Sequence, residues 1–255
     1  MSSPFALGPV RRVPLSAVNP VALLSAIVVV TVVLLVSGDL VTPAVLLAAE
    51  LALLPAAGLT SPADLLRRTW PLLLSAASVA WVDVAFGTGH GAHPWLGGLA
   101  LALRVVALAV PGVLLVASTD PVRVADALTL HWRVPTRFAY GALAALRLVP
   151  LLAGELETIR LARRARGVDV TGPAAAVRLA AGTAFALLVA AVRRGSRLAV
   201  AMDARGFDSG IARTNARGSR FTARDGAVVV AAVVVCAVAV ALSVVTGAWH
   251  PVFAG

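Results

Sequence analysis

The residue pattern with the clearest chemical meaning is a tripeptide that occurs at two places in the second half of the chain. Each copy is alanine, arginine and glycine, followed by an apolar residue and an aspartate. The copies are Ala165, Arg166 and Gly167, and Ala204, Arg205 and Gly206. Glycine just past a helix end adopts a left-handed backbone, and a terminal arginine extends five hydrogen-bond donors beyond that end. The pattern therefore predicts two helix tips, each able to enter an acidic groove on a partner protein.

A single copy of the tripeptide carries little weight, because a chain rich in alanine, arginine and glycine contains such copies by chance. A third copy, residues 216 to 218, falls in a loop, and we interpret it as accidental. For any one copy the alternative is an ordinary helix end whose arginine complements the helix dipole. Two copies at the ends of two matched helices favour docking.

Catalytic and metal-binding chemistry find no support in the sequence. The carboxylates are scattered, and no group of serine, histidine and aspartate can be assembled from plausible neighbours. His90 and His93 have a spacing seen in metal sites, but no third ligand lies near them in sequence, which favours a plain polar loop. The single cysteine, Cys236, excludes an intramolecular disulfide. We expect no metal, no cofactor and no enzymatic activity in this chain.

The basic residues of the chain are 22 arginines, with no lysine. Without lysine there is no P-loop lysine and no Schiff-base amine, so any ATP chemistry must come from another chain. The net charge of +10 could suggest nucleic acid, but aromatic residues make up only 5% of the chain. The arginines also lie beside membrane-length apolar runs, which favours a cytoplasm-facing charge excess over nucleic-acid binding.

The elements that must position the two tips are those of a membrane protein. Hydrophobic residues make up 60% of the chain and charged residues 13%, whereas a soluble domain has about a quarter charged residues. Five predominantly apolar runs have a length suited to crossing a bilayer. They are residues 20 to 36, 42 to 58, 70 to 86, 95 to 117 and 226 to 247.

The placement of the arginines predicts the orientation of these runs. Residues 118 to 224 hold seventeen arginines, whereas the turns at 37 to 43 and 87 to 94 hold none. Under the positive-inside rule the N-terminus is cytoplasmic and the C-terminus is outside, in agreement with an odd number of spans. We interpret the first apolar run as a retained helix rather than a signal peptide.

Three ionisable residues lie within the predicted spans, where such groups are costly and usually paired. Glu50 and Arg104 are eight and nine residues from the outer ends of their runs, which places both at a depth of about 12 to 14 Å. We expect an ion pair between them, with Asp83 as a competing partner of Arg104. Two alternative roles are contact with another membrane subunit and snorkelling of the charged side chain to the membrane surface.

The block from 118 to 224 predicts three helices on the cytoplasmic side. A short helix begins at Asp120 and Pro121, a cap followed by proline. Two long helices of about 31 residues, roughly 45 Å each, end at the two tripeptides. Their apolar stretches are short or interrupted by Arg147 and Arg178, which favours amphipathic helices over two further crossings.

The predicted fold is an all-α membrane protein with five transmembrane helices and a cytoplasmic module of one short and two long amphipathic coupling helices. Residues 1–117 form a region of four spans, and residues 118–224 hold the coupling helices. Residues 225–255 form the last span and a short outer tail.

Two segments of the chain resemble a known family. Residues 146–167 read LRLVPLLAGELETIRLARRARG, and residues 201–214 read AMDARGFDSGIART. They resemble the transmembrane T component of energy-coupling factor transporters, the family that includes the cobalt-transport Q proteins. The resemblance implies a scaffold in a bacterial or archaeal cell membrane that links two ATP-binding-cassette ATPases to a small substrate-binding membrane subunit. It implies import of a vitamin or a transition-metal ion, with both tripeptides docked into the ATPases.

Two other interpretations stay open at this point. One is the permease subunit of another ATP-driven transporter, which would contact its ATPases through one short coupling helix per half. The other is an intramembrane enzyme or a membrane-bound signalling protein. Association with two cassette ATPases would separate the transporter interpretations from the enzyme and signalling interpretations.

Overall fold

The computed structural model describes residues 13–59, 62–86, 94–167, 172–207 and 218–249. Eight α-helices and two short 3-10 helices form the regular structure of these ranges. The α-helices are α1 (Pro20–Val36), α2 (Val41–Leu53), α3 (Pro62–Phe86), α4 (Pro94–Ser118), α5 (Pro121–His131), α6 (Thr136–Ala165), α7 (Pro173–Ala204) and α8 (Ala223–Val245). The predicted all-α membrane architecture is confirmed.

The helices follow the predicted runs, with two differences at their ends. α3 begins eight residues before the predicted span, with Pro62 in the first turn, where its missing amide hydrogen costs nothing. α2 ends at Leu53, and the 3-10 helix Pro55–Ala57 takes the place of its last predicted turn. The chain then turns at Gly58, whose φ of 79° ends the helical path. The long helices α6 and α7 have 30 and 32 residues.

Four of the described helices are long and apolar enough to cross a membrane. They are α3 from Thr69, α4 from Trp95, α7 and α8. α1 and α2 are apolar but shorter, with 17 and 13 residues. α7 has the length and composition of a span, although the sequence favours a cytoplasmic position for this helix. The number of five spans therefore stays a prediction.

The chain forms two compact units. The first, which we call the bundle, comprises the described residues between 13 and 127 and between 219 and 249, and contains α1 to α4 and α8. The second, which we call the helix pair, comprises the described residues between 128 and 218 and contains α6 and α7. The chain passes between the units within α5.

In the bundle, α8 is bonded to the α1 segment at both ends. At the start of α8, Asp225 Oδ1 accepts a hydrogen bond from the amide of Asn19 at 2.6 Å, and Asp225 Oδ2 caps α8 through Thr222. At the far end, in the turn after α1, Asp39 Oδ2 accepts a hydrogen bond from Ser243 Oγ at 2.6 Å. Both carboxylates are buried. Because α1 and α8 meet start to start and end to end, they run parallel.

α2 and α4 also run parallel to each other. One buried cluster contains Leu46 of α2 and Ala107 of α4, together with residues of α1 and α8. A second cluster contains Leu54, just after α2, with Val110 and Leu114 of α4. Positions farther along α2 therefore pack against positions farther along α4.

The turn between α1 and α2 holds a carboxylate that is buried yet charged. Burial alone raises the pKa of Asp39, but hydrogen bonds from Ser243 Oγ and from the amide and hydroxyl of Thr42 outweigh it and bring the pKa below its usual value. A pKa that is lower in the folded than in the unfolded state stabilises the fold at pH values above the unfolded pKa. This stabilisation is lost as the pH falls through the folded pKa.

We expect Ser243→Ala to lower the free energy of unfolding at neutral pH by about 1.5 to 3 kcal/mol, because a bond to a charged acceptor is removed. The deficit should shrink as the pH falls below the ordinary aspartate value of 3.8, where the carboxylate becomes neutral. Thermal unfolding of the purified protein in detergent, measured across this pH range, tests both statements. Ser75→Ala, which removes a hydroxyl that bonds within α3, is the control. A deficit that does not change with pH would contradict this account of Asp39.

Candidate functional site

The two long helices lie side by side and run in opposite directions. Near the start of α6, the ring of Tyr140 meets that of Phe207, just after α7, edge to face with centroids 6.3 Å apart. In the middle, Glu155 and Arg194 form an ion pair. Near the end of α6, Arg163 donates a hydrogen bond to Thr183 Oγ1 at 2.8 Å. As residue numbers rise along α6, those of the contacting residues in α7 fall.

The predicted tripeptides lie at the ends of these two helices and share one backbone conformation. Arg166 follows α6 with φ −88° and ψ 8°, and Arg205 follows α7 with φ −89° and ψ 9°. The glycines after them, Gly167 and Gly206, have φ values of 68° and 72°. Glycine adopts this left-handed conformation without the steric cost that a Cβ atom brings, which accounts for the last residue of the tripeptide.

Hydrogen bonds close the two helix ends in the same way. At each end the glycine amide donates to the carbonyl three residues earlier, at 3.0 Å after α6 and 2.9 Å after α7. After α7 the amide of Phe207 also donates to the carbonyl of Met202 at 3.2 Å, which completes a Schellman motif. These bonds fix the direction in which the chain leaves each helix.

The two tips lie at opposite ends of the helix pair. Because the helices are antiparallel, the end of α6 lies beside the start of α7. With 30 residues in α6 and a rise of 1.5 Å per residue, the tips are about 45 Å apart. Arg166 and Arg205 are both exposed. This separation excludes a single groove that holds both arginines and suits two separate sites on partner proteins.

The surroundings of the two tips differ in charge. At the α6 tip, a cleft of about 530 Å³ between the helices is lined by Arg160, Arg163 and Arg164. At the α7 tip, a cleft of about 570 Å³ is lined by Arg137 and Asp203. The α6 end therefore presents clustered positive charge, and the α7 end presents charges of both signs.

Sequence reasoning missed the contacts that hold the tips in place. Arg163 donates to the carbonyl of Leu179 at 2.9 Å as well as to Thr183, and so bonds the last turns of α6 to α7. Phe207, packed on Tyr140, anchors the chain directly after the α7 tip. The apolar residue after each glycine is the signal that indicates an anchoring contact, since an apolar residue at this position of a Schellman motif commonly packs against other apolar side chains.

Some predicted features lie outside the described residues. They are the aspartates after the tripeptides, Asp169 and Asp208, the histidines His90 and His93, and residues 216 and 217 of the third tripeptide copy. Within the described ranges, no cluster of three or more histidine, cysteine, aspartate or glutamate side chains is arranged to hold a metal ion.

The predicted ion pair between Glu50 and Arg104 is not formed in the bundle. Both carboxylate oxygens of Glu50 are buried, with no hydrogen-bond partner in the described part of the chain. Arg104 interacts electrostatically with Asp39 instead. Asp83, the predicted competitor for Arg104, occupies a half-buried position in α3.

The register of α2 against α4 explains why this pair does not form. Leu46 and Ala107 share one core layer. Arg104 lies one turn before Ala107, and Glu50 lies one turn after Leu46, in helices that run parallel. The two residues are therefore about 10 Å apart along the bundle. The sequence predicted equal depth for the two residues because each depth was taken from the outer end of its own apolar run. That prediction requires both runs to begin at the same level in the membrane.

The described residues thus form an all-helical membrane bundle and a pair of long helices with matching arginine tips. Comparison with known families gives the class of protein, the membrane component of a transporter. The family model of the cobalt transport protein CbiQ matches residues 11–215, which include both tips. The chain belongs to this family.

Individual relatives agree with the family assignment. Each of three is an energy-coupling factor transporter transmembrane protein, EcfT. That of Exiguobacterium sibiricum is 37% identical over 134 residues, 49% of this chain and 51% of the relative. That of Bacillus subtilis is 34% identical over 149 residues, 55% and 56% of the two chains. That of Limosilactobacillus fermentum is 34% identical over 167 residues, 58% and 62% of the two chains.

The matched stretch thus spans between about half and three-fifths of the length of these relatives. The resemblance to the T component of energy-coupling factor transporters, which the sequence carries in residues 146–167 and 201–214, is confirmed.

We expect Gly167→Ala to destabilise the end of α6 by about 1 to 2 kcal/mol, because alanine must adopt the left-handed backbone there. A Cβ atom at Gly167 meets no other atom within 4 Å, so any loss comes from the backbone alone. Gly154→Ala, in the interior of α6 with equally open surroundings, is the matched control and should be neutral or stabilising. Thermal unfolding in detergent should separate the two variants, and equal Tm values would count against the observed cap.

Proposed function

We propose that the chain is the membrane scaffold of an energy-coupling factor importer, in which two ATP-binding-cassette ATPases each hold one arginine tip. A small substrate-binding membrane subunit completes the complex and selects the cargo, a vitamin or a transition-metal ion. The observation that carries the proposal is the pair of tips with the same cap geometry at opposite ends of one helix pair. Two ATPase subunits offer two separate grooves, which is what two tips with the same cap geometry about 45 Å apart require.

The chemistry of each tip suits a groove with acidic residues. Arg166 and Arg205 carry a planar guanidinium group that forms two parallel hydrogen bonds to a carboxylate. The alanine before each arginine is small and exposed, so a partner backbone can approach closely. ATP hydrolysis takes place in the ATPase chains, and this chain has no catalytic role.

The helix pair transmits movement of the ATPases because contacts along its length hold α6 and α7 together. The Glu155–Arg194 ion pair lies in the middle, and the Arg163 and Phe207 contacts lie towards the two ends. When ATP draws the two ATPases together, both tips move with them. A stiff pair passes this movement on to the membrane-embedded part of the complex, where the substrate-binding subunit sits.

The charge of α7 supports a cytoplasmic position for the helix pair. Between Arg178 and Arg193 the helix has 14 uncharged residues, which span about 21 Å and so fall short of the roughly 30 Å hydrocarbon core. In the cell membrane of a bacterium or an archaeon, the N-terminus then lies in the cytoplasm and the C-terminus outside. The parallel course of α1 and α8 agrees with this orientation, since both helices begin on the same side.

Reversing the charge of the tips should release the ATPases. We expect Arg166→Glu and Arg205→Glu each to weaken association with one ATPase, and the double variant to lose both. A buried arginine–carboxylate pair that loses one partner typically costs about 2 to 5 kcal/mol. Co-purification of the subunits from membranes, with the bound ATPases counted by native mass spectrometry, measures the loss.

Arg197→Glu is the control for these variants, because it makes the same charge change at an exposed position in α7 away from both tips. It should retain both ATPases. Wild-type ATPase content in the double tip variant would contradict the proposal.

A second candidate, the permease subunit of another ATP-driven transporter, is favoured by one observation. α7 has 32 residues and the mean hydropathy of a membrane span, so the helix pair would then cross the bilayer.

Aqueous labelling separates the two candidates. In a Cys236→Ala background, a Phe185→Cys variant places a thiol at an exposed site in the middle of α7, where Phe185 is 68% exposed. A cytoplasmic helix pair predicts rapid reaction with a membrane-impermeant maleimide in inside-out vesicles. Val234→Cys, at an exposed position of the predicted span α8, is the control and should stay unreactive. Equal protection of both thiols would favour the permease.

A further inference from the structure

The bundle contains a cavity of about 290 Å³ between α1, α2, α4 and α8. Its walls are aliphatic and come from all four helices. Among the lining residues are Ile27, Leu46, Leu114 and Val235. Among the described residues that line it, Glu50 alone has a charged or polar side chain.

Glu50 is buried in this cavity without the partners that a buried carboxyl group normally has. The residue is 6% exposed, and neither carboxylate oxygen has a hydrogen-bond partner among the residues that the structure describes. Arg104, the nearest predicted counter-ion, interacts with Asp39 and lies about two helical turns away along the bundle. A buried carboxyl group with no partner is costly to ionise, because water no longer solvates the charge. A ligand that supplies donors and positive charge would remove that cost.

The size and the lining of the cavity restrict such a ligand. At roughly 30 Å³ per non-hydrogen atom, the cavity holds about ten such atoms. All walls except Glu50 are apolar, so the body of the ligand must be a hydrocarbon. Leu53 and Ala231 line the cavity and are also exposed, so a molecule can reach it from outside the bundle.

We propose that this cavity binds a hydrophobic amine, with its hydrocarbon chain in the apolar space and its ammonium group on Glu50. An ammonium group carries three donors and a positive charge, so it can bond both carboxylate oxygens and neutralise them. An alcohol of the same length carries one donor and no charge, and leaves one oxygen unmet. This site is separate from the arginine tips and does not depend on their function.

Binding of radiolabelled n-decylamine to the full chain in phosphatidylcholine nanodiscs tests the proposal. We expect one saturable site per chain, with n-decanol competing at least about tenfold less well, since it lacks the charge-assisted bonds. Glu50→Gln keeps the side-chain volume and removes the charge, and should weaken decylamine binding by about tenfold or more.

A second variant tests the cavity without touching the carboxyl group. Ala232→Phe, at a lining position of α8, should fill the space and abolish saturable binding. Ala237→Phe, at an exposed position of the same helix, is the control and should bind like the wild type. Size-exclusion chromatography of each variant establishes that the protein is folded.

The outcomes are distinct. Absence of a saturable site, or binding that neither Glu50→Gln nor Ala232→Phe changes, means that decylamine only partitions into lipid, and overturns the proposal. Binding confined to chains assembled with other membrane subunits also overturns it. Repeating the titration in nanodiscs that contain phosphatidylethanolamine identifies the source of the amine. Weaker decylamine binding there assigns the site to an aminolipid, and unchanged binding assigns it to a free amine, both in agreement with the proposal.

Discussion

Two buried aspartates hold α8 in register with α1, and the rest of the bundle depends on that register. Asp225 joins the starts of the two helices through Asn19, and Asp39 joins their far ends through Ser243. From Asp225 to Ser243, α8 rises about 27 Å, so the α1 segment must match that length. Both carboxylates are buried, so water does not replace a lost hydrogen bond. A slip of one helix along the other would therefore leave both carboxylates without these donors.

The same register determines which ionisable residues within the bundle lie near a counter-ion. Once α1 and α8 are aligned, the layer that holds Leu46 and Ala107 is fixed between them. Arg104 then lies on the Asp39 side of that layer, and Glu50 lies on the opposite side. The arginine finds a counter-ion, whereas the glutamate faces an apolar cavity. One packing arrangement thus produces both the interaction of Arg104 with Asp39 and the candidate amine site.

The helix pair solves a different physical problem, which is to hold two exposed tips at a constant separation. Its long helices make few of their contacts through buried apolar side chains, since α7 has no buried residue. Polar bonds and one aromatic contact link them instead, among them those of Arg163 and Phe207. At each tip a glycine with positive φ and the hydrogen bond from its amide fix the backbone. The two tips are therefore connected through one continuous pair of bonded helices.

The sequence by itself determined the features that depend on neighbours along the chain. The helix ends at Gly167 and Gly206 follow from glycine's freedom to adopt positive φ, and the family follows from residues 146–167 and 201–214. Only the tertiary structure decided which distant residues meet. The pairing of Arg104 with Asp39, the anchor of Phe207 on Tyr140 and the placement of the tips at opposite ends all depend on how whole helices align. That alignment is set by the summed packing of many side chains, and no local pattern encodes it.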